Sequence, residues 1–152
     1  VTTTPIEGLT IGASYNEFDG AGVAKNDQDP ASGAYYLKYA AGPFSVGYSQ
    51  AFKALLLADN IAATAIEGYE QTNYSIAYAA SDDLSVSYEV EEDTKQNVTA
   101  TTADVDQKSK AIQAAYSMGG MTLSASMGSY DNINWVTTDS IDTFILAVTM
   151  AF

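Results

Sequence analysis

The chain contains no cysteine and no histidine, and its six basic residues, all lysine, stand against nineteen acidic ones. Each shortage excludes a class of chemistry. Without cysteine there is no disulfide framework, no thiolate metal site and no thiol nucleophile, and without histidine the most frequent general base and zinc ligand are gone. Most hydrolase and metalloenzyme mechanisms lose a required group, and no enzymatic activity is expected. A formal net charge of −13 provides no positive field for a phosphate backbone, so nucleic acid is not an expected partner. Long apolar runs are missing as well: Ala54-Leu55-Leu56-Leu57-Ala58 falls far short of the roughly 20 residues that a transmembrane helix needs.

What the 152 residues do contain is tyrosine, eleven of them, set among glycine, alanine, serine and threonine. This composition favours strands and turns over long helices. Apolar residues recur at every second position in eight segments, near 9 to 18, 34 to 41, 44 to 53, 71 to 80, 84 to 92, 110 to 118, 121 to 130 and 142 to 152, which is the period of a strand with two unlike faces. One face collects residues such as Tyr35, Leu37 and Tyr39, Phe44, Val46 and Tyr48, and Phe144, Leu146, Val148 and Met150, with Gln50 and Thr72 as its polar members. The opposite face is mostly Gly, Ala, Ser or Thr, as in Ser45-Gly47-Ser49-Ala51 and Thr122-Ser124-Ser126-Gly128. A soluble sheet normally carries long charged side chains on its outer face. Here the second face has the character of an enclosed but unpacked surface.

The connections alternate in length. Gly42-Pro43, Ser81-Asp82-Asp83 and Gly119-Gly120 read as tight hairpin turns, whereas 19 to 33, 54 to 70, 93 to 109 and 131 to 141 are long. Most strands are about nine to eleven residues long, as a tilted strand crossing a bilayer requires. The fold expected is all-β, a transmembrane antiparallel β-barrel domain over 1 to 152 with eight strands in this chain. Tyr15, Phe18, Phe52 and Tyr130 at the long-loop ends, with Tyr39, Phe44, Tyr78 and Phe152 at the short-turn ends, suit interfacial aromatic girdles. Pro5-Ile6-Glu7-Gly8 reads as a further short turn, which makes Val1-Thr2-Thr3-Thr4 the tail of a preceding strand and implies a longer native chain.

Over its whole length the chain resembles the C-terminal half of the general outer-membrane porins of Gram-negative bacteria, of the alphaproteobacterial type. The residues carrying the resemblance are Gly8-Leu9-Thr10-Ile11-Gly12-Ala13-Ser14-Tyr15, Gly42-Pro43-Phe44-Ser45-Val46-Gly47-Tyr48, Ala115-Tyr116-Ser117-Met118-Gly119-Gly120-Met121-Thr122-Leu123 and the closing strand that ends in Phe152. The resemblance implies half of a sixteen-stranded barrel, commonly a homotrimer, surrounded by membrane lipid and lipopolysaccharide. It implies passive diffusion of small hydrophilic solutes and ions. Phe152 resembles the terminal signal read by the barrel-assembly machinery. The inward-folded loop that narrows such pores belongs to the half not represented, so no constriction residue carries over.

Lys38, Lys53, Asn73, Glu89, Glu91 and Gln113 are the candidate pore-lining residues. Glu89 and Glu91, with Asp93, Asp104 and Asp106 toward the loop above, are expected to favour cations weakly, while Lys38 and Lys53 either pair with such carboxylates or form a competing basic stripe. No cofactor is required; Asp104 and Asp106 are weak candidates for Ca2+ or Mg2+, as are Asp27-Gln28-Asp29 and Glu91-Glu92-Asp93, and no complete calcium-loop spacing is present. The exposed-looking Leu55-Leu56-Leu57 is expected to fold against a neighbour. Two other readings fit the alternation: a complete eight-stranded barrel acting as an anchor or adhesin, and a soluble acidic β-sandwich that binds a ligand.

Overall fold

Strands form where the alternation runs. The computed structural model describes residues 1–19, 26–58, 65–99 and 103–150, and over these the chain is all-β apart from one 3-10 turn, Ile133–Trp135. The strands are β1 (Thr2–Ile6), β2 (Leu9–Glu17), β3 (Asn26–Gln28), β4 (Ala31–Ala41), β5 (Phe44–Ala54), β6 (Leu57–Ala58), β7 (Ile66–Ala79), β8 (Leu84–Asn97), β9 (Val105–Met118), β10 (Met121–Asp131) and β11 (Ser140–Met150). Nine of them form a single antiparallel sheet in the order β1-β2-β4-β5-β7-β8-β9-β10-β11, and β3 pairs with β6 in a small second sheet. Each strand of the large sheet thus lies beside its neighbour in sequence, save where β3 and β6 interrupt the order. No helix among the described residues is long and apolar enough to cross a membrane, which says nothing about crossing by strands.

The sheet has nine strands where the alternation predicts eight, because Thr2–Ile6 pairs with β2 through Thr3↔Ile11 and Ile6↔Leu9. The register shifts between Thr3 and Ile6, around Pro5. Proline lacks the amide proton a central strand would need, so it is tolerated at a sheet edge. Three strands are also longer than periodicity indicates. β7 begins at Ile66, β8 continues to Asn97 and β9 begins at Val105, so Asp93 and Asp106 belong to strands and not to a loop. The residues added to β8, Asp93-Thr94-Lys95-Gln96-Asn97, are polar on both faces. Backbone pairing continues there while the two-sided contrast that betrays a strand has vanished.

The turns are as tight as the sequence indicates. Gly42, Gly119 and Gly120 adopt φ of 56°, 56° and 83°, the left-handed region that glycine enters without steric cost. Gly8 is more demanding. It has φ 79°, and a Cβ built on it would stand 2.2 Å from the Ala40 carbonyl oxygen, whereas one on Gly42 would meet nothing within 4 Å. Gly42→Ala is therefore expected to lose about 1 kcal/mol through its left-handed backbone alone, and Gly8→Ala to lose more, because the Ala40 carbonyl must also give way. Urea midpoints of the two variants in the same amphiphile check this, and equal losses would contradict the contact.

The described residues enclose no packed interior. Leu57, 8% exposed, is the buried hydrophobic residue among those described, and none of them buries a polar side chain. Leu146 is 61% exposed, Val148 54% and Phe144 66%. The soluble-sandwich reading needs two layers enclosing these side chains. The described residues form one large sheet instead, with only the short β3–β6 pair beside it. That pair ties two long connections together: Gln28 lies opposite Leu57, and its Nε2 donates to the carbonyls of Leu55 at 2.8 Å and Glu67 at 3.0 Å. The tri-leucine segment is folded in this way, with Leu57 buried at its end and Leu56 left exposed.

Candidate functional site

Residues paired across an antiparallel sheet share a face, so the registers fix how the two surfaces are composed. The apolar surface carries a ladder of rings. Phe44 stacks on Tyr78 with centroids 4.7 Å apart, Tyr48 lies 6.0 Å from Tyr35 and 5.3 Å from Tyr74, and Tyr15 lies 6.4 Å from Phe52. Gln50, a polar exception on this side, accepts a hydrogen bond from the Tyr35 hydroxyl directly across the strand pair. Toward the long connections the apolar belt gives way to charge: Lys108 Nζ meets Glu92 at 2.6 Å, and Thr94 Oγ1 donates to Asp106 at 2.7 Å.

The other surface holds the candidate residues, arranged in rungs. One rung runs Lys38, Gly47, Ser75, Glu89, Ala111, Gly128 across six strands of the sheet. The next, toward the long connections, runs Tyr36, Ser49, Asn73, Glu91, Ser109. Above it come Ala51, Gln71, Asp93, Gln107, and then Lys53, Tyr69, Lys95. Gln113 sits one rung below Glu89, between Ser87 and Ser126. Asn73, Glu89 and Glu91 are thus brought together, and Asn73 Nδ2 donates to Glu89 Oε1. Lys38 shares the Glu89 rung but stands three strands away, about 14 Å at the usual strand spacing. Between them the surface is glycine and serine, and a groove of about 370 Å3 lined by Lys38, Gly47, Ser49, Asn73 and Ser75 lies over it.

The weak metal candidates do not converge. Asp104 Oδ1 accepts from the Asn97 backbone amide at 2.8 Å, while Asp106 is engaged by Thr94. Among the described residues no three acidic side chains gather as a metal set would require. Phe152 lies outside the described residues.

One feature of this surface escapes sequence reasoning. After β10 the chain turns back over the small-residue face through Asn132, Asn134 and Trp135, all with φ of 56° or 57°. Asn132 Nδ2 donates to the Asp106 carbonyl at 2.7 Å, the Asn134 amide to Gln107 Oε1 at 2.8 Å, and Trp135 Nε1 to the Asp93 carbonyl at 2.9 Å. The indole packs on Tyr69 with centroids 5.2 Å apart, and Lys95 Nζ lies 6.0 Å from its ring. A lone tryptophan after Asn-Ile-Asn was the available signal, since asparagine is the residue after glycine that best tolerates the left-handed region.

No family model, no curated protein and no solved structure matches the chain. What the two surfaces can do follows from their chemistry. A face of large apolar side chains is poorly suited to water, and the opposite face, being short, polar and uncharged over most of its area, offers hydrogen bonds to water without filling the space in front of it.

Proposed function

We propose that the chain forms the wall of a water-filled channel across the bacterial outer membrane, of the porin kind, for passive diffusion of small hydrophilic solutes and ions. The carrying observation is the division of a single sheet into an exposed apolar belt and a small polar face. Leaving half-exposed leucines, tyrosines and phenylalanines in water forfeits on the order of 1 kcal/mol each. Summed over the belt, that exceeds the ~5–15 kcal/mol net stability of an ordinary domain. Lipid removes the penalty. In lipid the backbone polar groups must also be paired between strands, which a meandering antiparallel sheet does everywhere except at its two margins. Among the described residues β1 pairs only with β2 and β11 only with β10. Further strands meeting those margins, as in a sixteen-stranded barrel, would complete the enclosure, and such barrels associate as trimers. The polar face then lines water, with Lys38, Lys53, Asn73, Glu89, Glu91 and Gln113 as its larger groups.

Reconstitution of the native protein in planar bilayers tests the reading. Stepwise, ohmic conductance is expected, along with protection of the belt from aqueous protease. Protein that is inserted and protected but electrically silent would instead favour an anchor or adhesin, and protein that stays monodisperse without amphiphile would exclude a membrane role.

A further inference from the structure

We infer that the turn Asn132–Trp135 is a lip that narrows the channel at its long-loop end, with Trp135 as the side chain that limits the size of passing solutes. The inference rests on the channel reading and adds an element to it. The chain leaves β10 and crosses the face of β9 to reach β8 and β7, holding Gln107 of β9, the Asp93 carbonyl of β8 and the Tyr69 ring of β7 in turn. Gln107, Lys95 and Tyr69 all belong to the small-residue face by register with Asp93, Lys53 and one another. An excursion of this reach spans about 14 Å of sheet, and it brings the largest side chain of the protein over the polar rungs at the long-connection end of the small-residue face.

Its energetics favour a fixed element. Three non-glycine residues within four positions, Asn132, Asn134 and Trp135, do not enter the left-handed region at random; such a conformation persists only where the surroundings over-determine it. Here three hydrogen bonds and an aromatic contact supply that determination. The indole proton is satisfied by a strand carbonyl, so the ring is oriented as well as attached. Beneath the lip, Lys53, Gln71, Asp93, Tyr69 and Trp135 line a cavity of about 300 Å3, large enough for a small hydrated solute in transit. Its walls pair an aromatic step with charges of both signs, so a solute is selected here by girth more than by net charge.

Trp135→Ala should raise single-channel conductance about 1.5-fold, the direction expected when the radius at a constriction governs flux, and should admit larger uncharged sugars in a liposome-swelling assay. Because the chain lacks cysteine, a Gln107→Cys, Asn134→Cys pair supplies a second measurement: oxidation should leave conductance as in the wild type, since the lip is already down. The single tryptophan makes fluorescence unambiguous, with quenching expected from aqueous acrylamide and not from lipids brominated along their chains. A wild type that conducts while Trp135→Ala, heat-modifiable and correctly inserted, conducts identically overturns the inference and leaves the channel intact. Quenching by brominated lipid overturns it too, by putting the indole on the belt. A silent wild type removes the channel reading and the lip with it.

Discussion

Val148→Arg is expected to destabilise the membrane-inserted protein by about 2–4 kcal/mol, as charge on the lipid face of a strand does near the bilayer midplane, while Ala147→Arg one residue away leaves folding nearly unchanged and reduces conductance. The two positions are adjacent on β11 and project to opposite faces. Val148 pairs with Leu123 on the apolar belt, and Ala147 pairs with Ser124 on the small-residue face. In the belt the guanidinium has no water within reach except by distorting the bilayer. On the other face the same group enters an aqueous space and occupies part of it. Reversible urea unfolding in lipid vesicles measures the first effect and planar-bilayer recording the second. Equal stability losses at both positions would mean that the two faces meet the same medium, which would end the channel reading.

On the channel reading, replacing Glu89 and Glu91 together by lysine is expected to shift selectivity from cations toward anions, reversing the sign of the reversal potential in a tenfold salt gradient. The two carboxylates occupy successive rungs of β8 on the small-residue face, with Asn73 bonded to Glu89 and in register with Glu91. Lys38, at the Glu89 level, is three strands distant. At roughly 14 Å that backbone separation exceeds the ~8 Å screening length at physiological ionic strength. The acidic side of the wall therefore keeps a field of its own, and the effect should weaken as bulk salt rises. Anion selectivity in the unmodified protein, or a reversal potential indifferent to the double substitution, would show that these carboxylates serve only to hydrate the wall.

The faces were the legible part of the sequence. Alternation at Phe44, Val46 and Tyr48, or at Leu146, Val148 and Met150, assigns each side chain to a surface because the strand period is two and one surface demands large apolar groups. Gly42-Pro43, Ser81-Asp82-Asp83 and Gly119-Gly120 gave the tight turns for an equally local reason. Alternation fell silent after Glu92, where β8 runs on through Asp93-Thr94-Lys95-Gln96-Asn97 with polar residues on both sides, and the strand was therefore cut short. The first strand was read only as a tail, since Thr2–Ile6 is short and contains Pro5. Alternation puts the candidate residues on one face, and only the pairing registers place Lys38 level with Glu89 or bring Asn73 to it. Trp135 was out of reach for a different reason: its position depends on Asp93 and Tyr69, both about forty or more residues earlier in the chain, and no local pattern announces such a contact.

A wall one sheet thick, whose nine strands bury no apolar side chain among the described residues, has almost no interior to mispack. Trimming Leu146 or Ile76 to alanine removes area from a surface but opens no void among close-fitting neighbours, so the steep penalty that core truncations incur in globular proteins should be largely absent. Each position is answerable for the class of its side chain, oily or small, and hardly for its shape. Sequences of this kind are free to drift a long way while the molecule they specify stays the same.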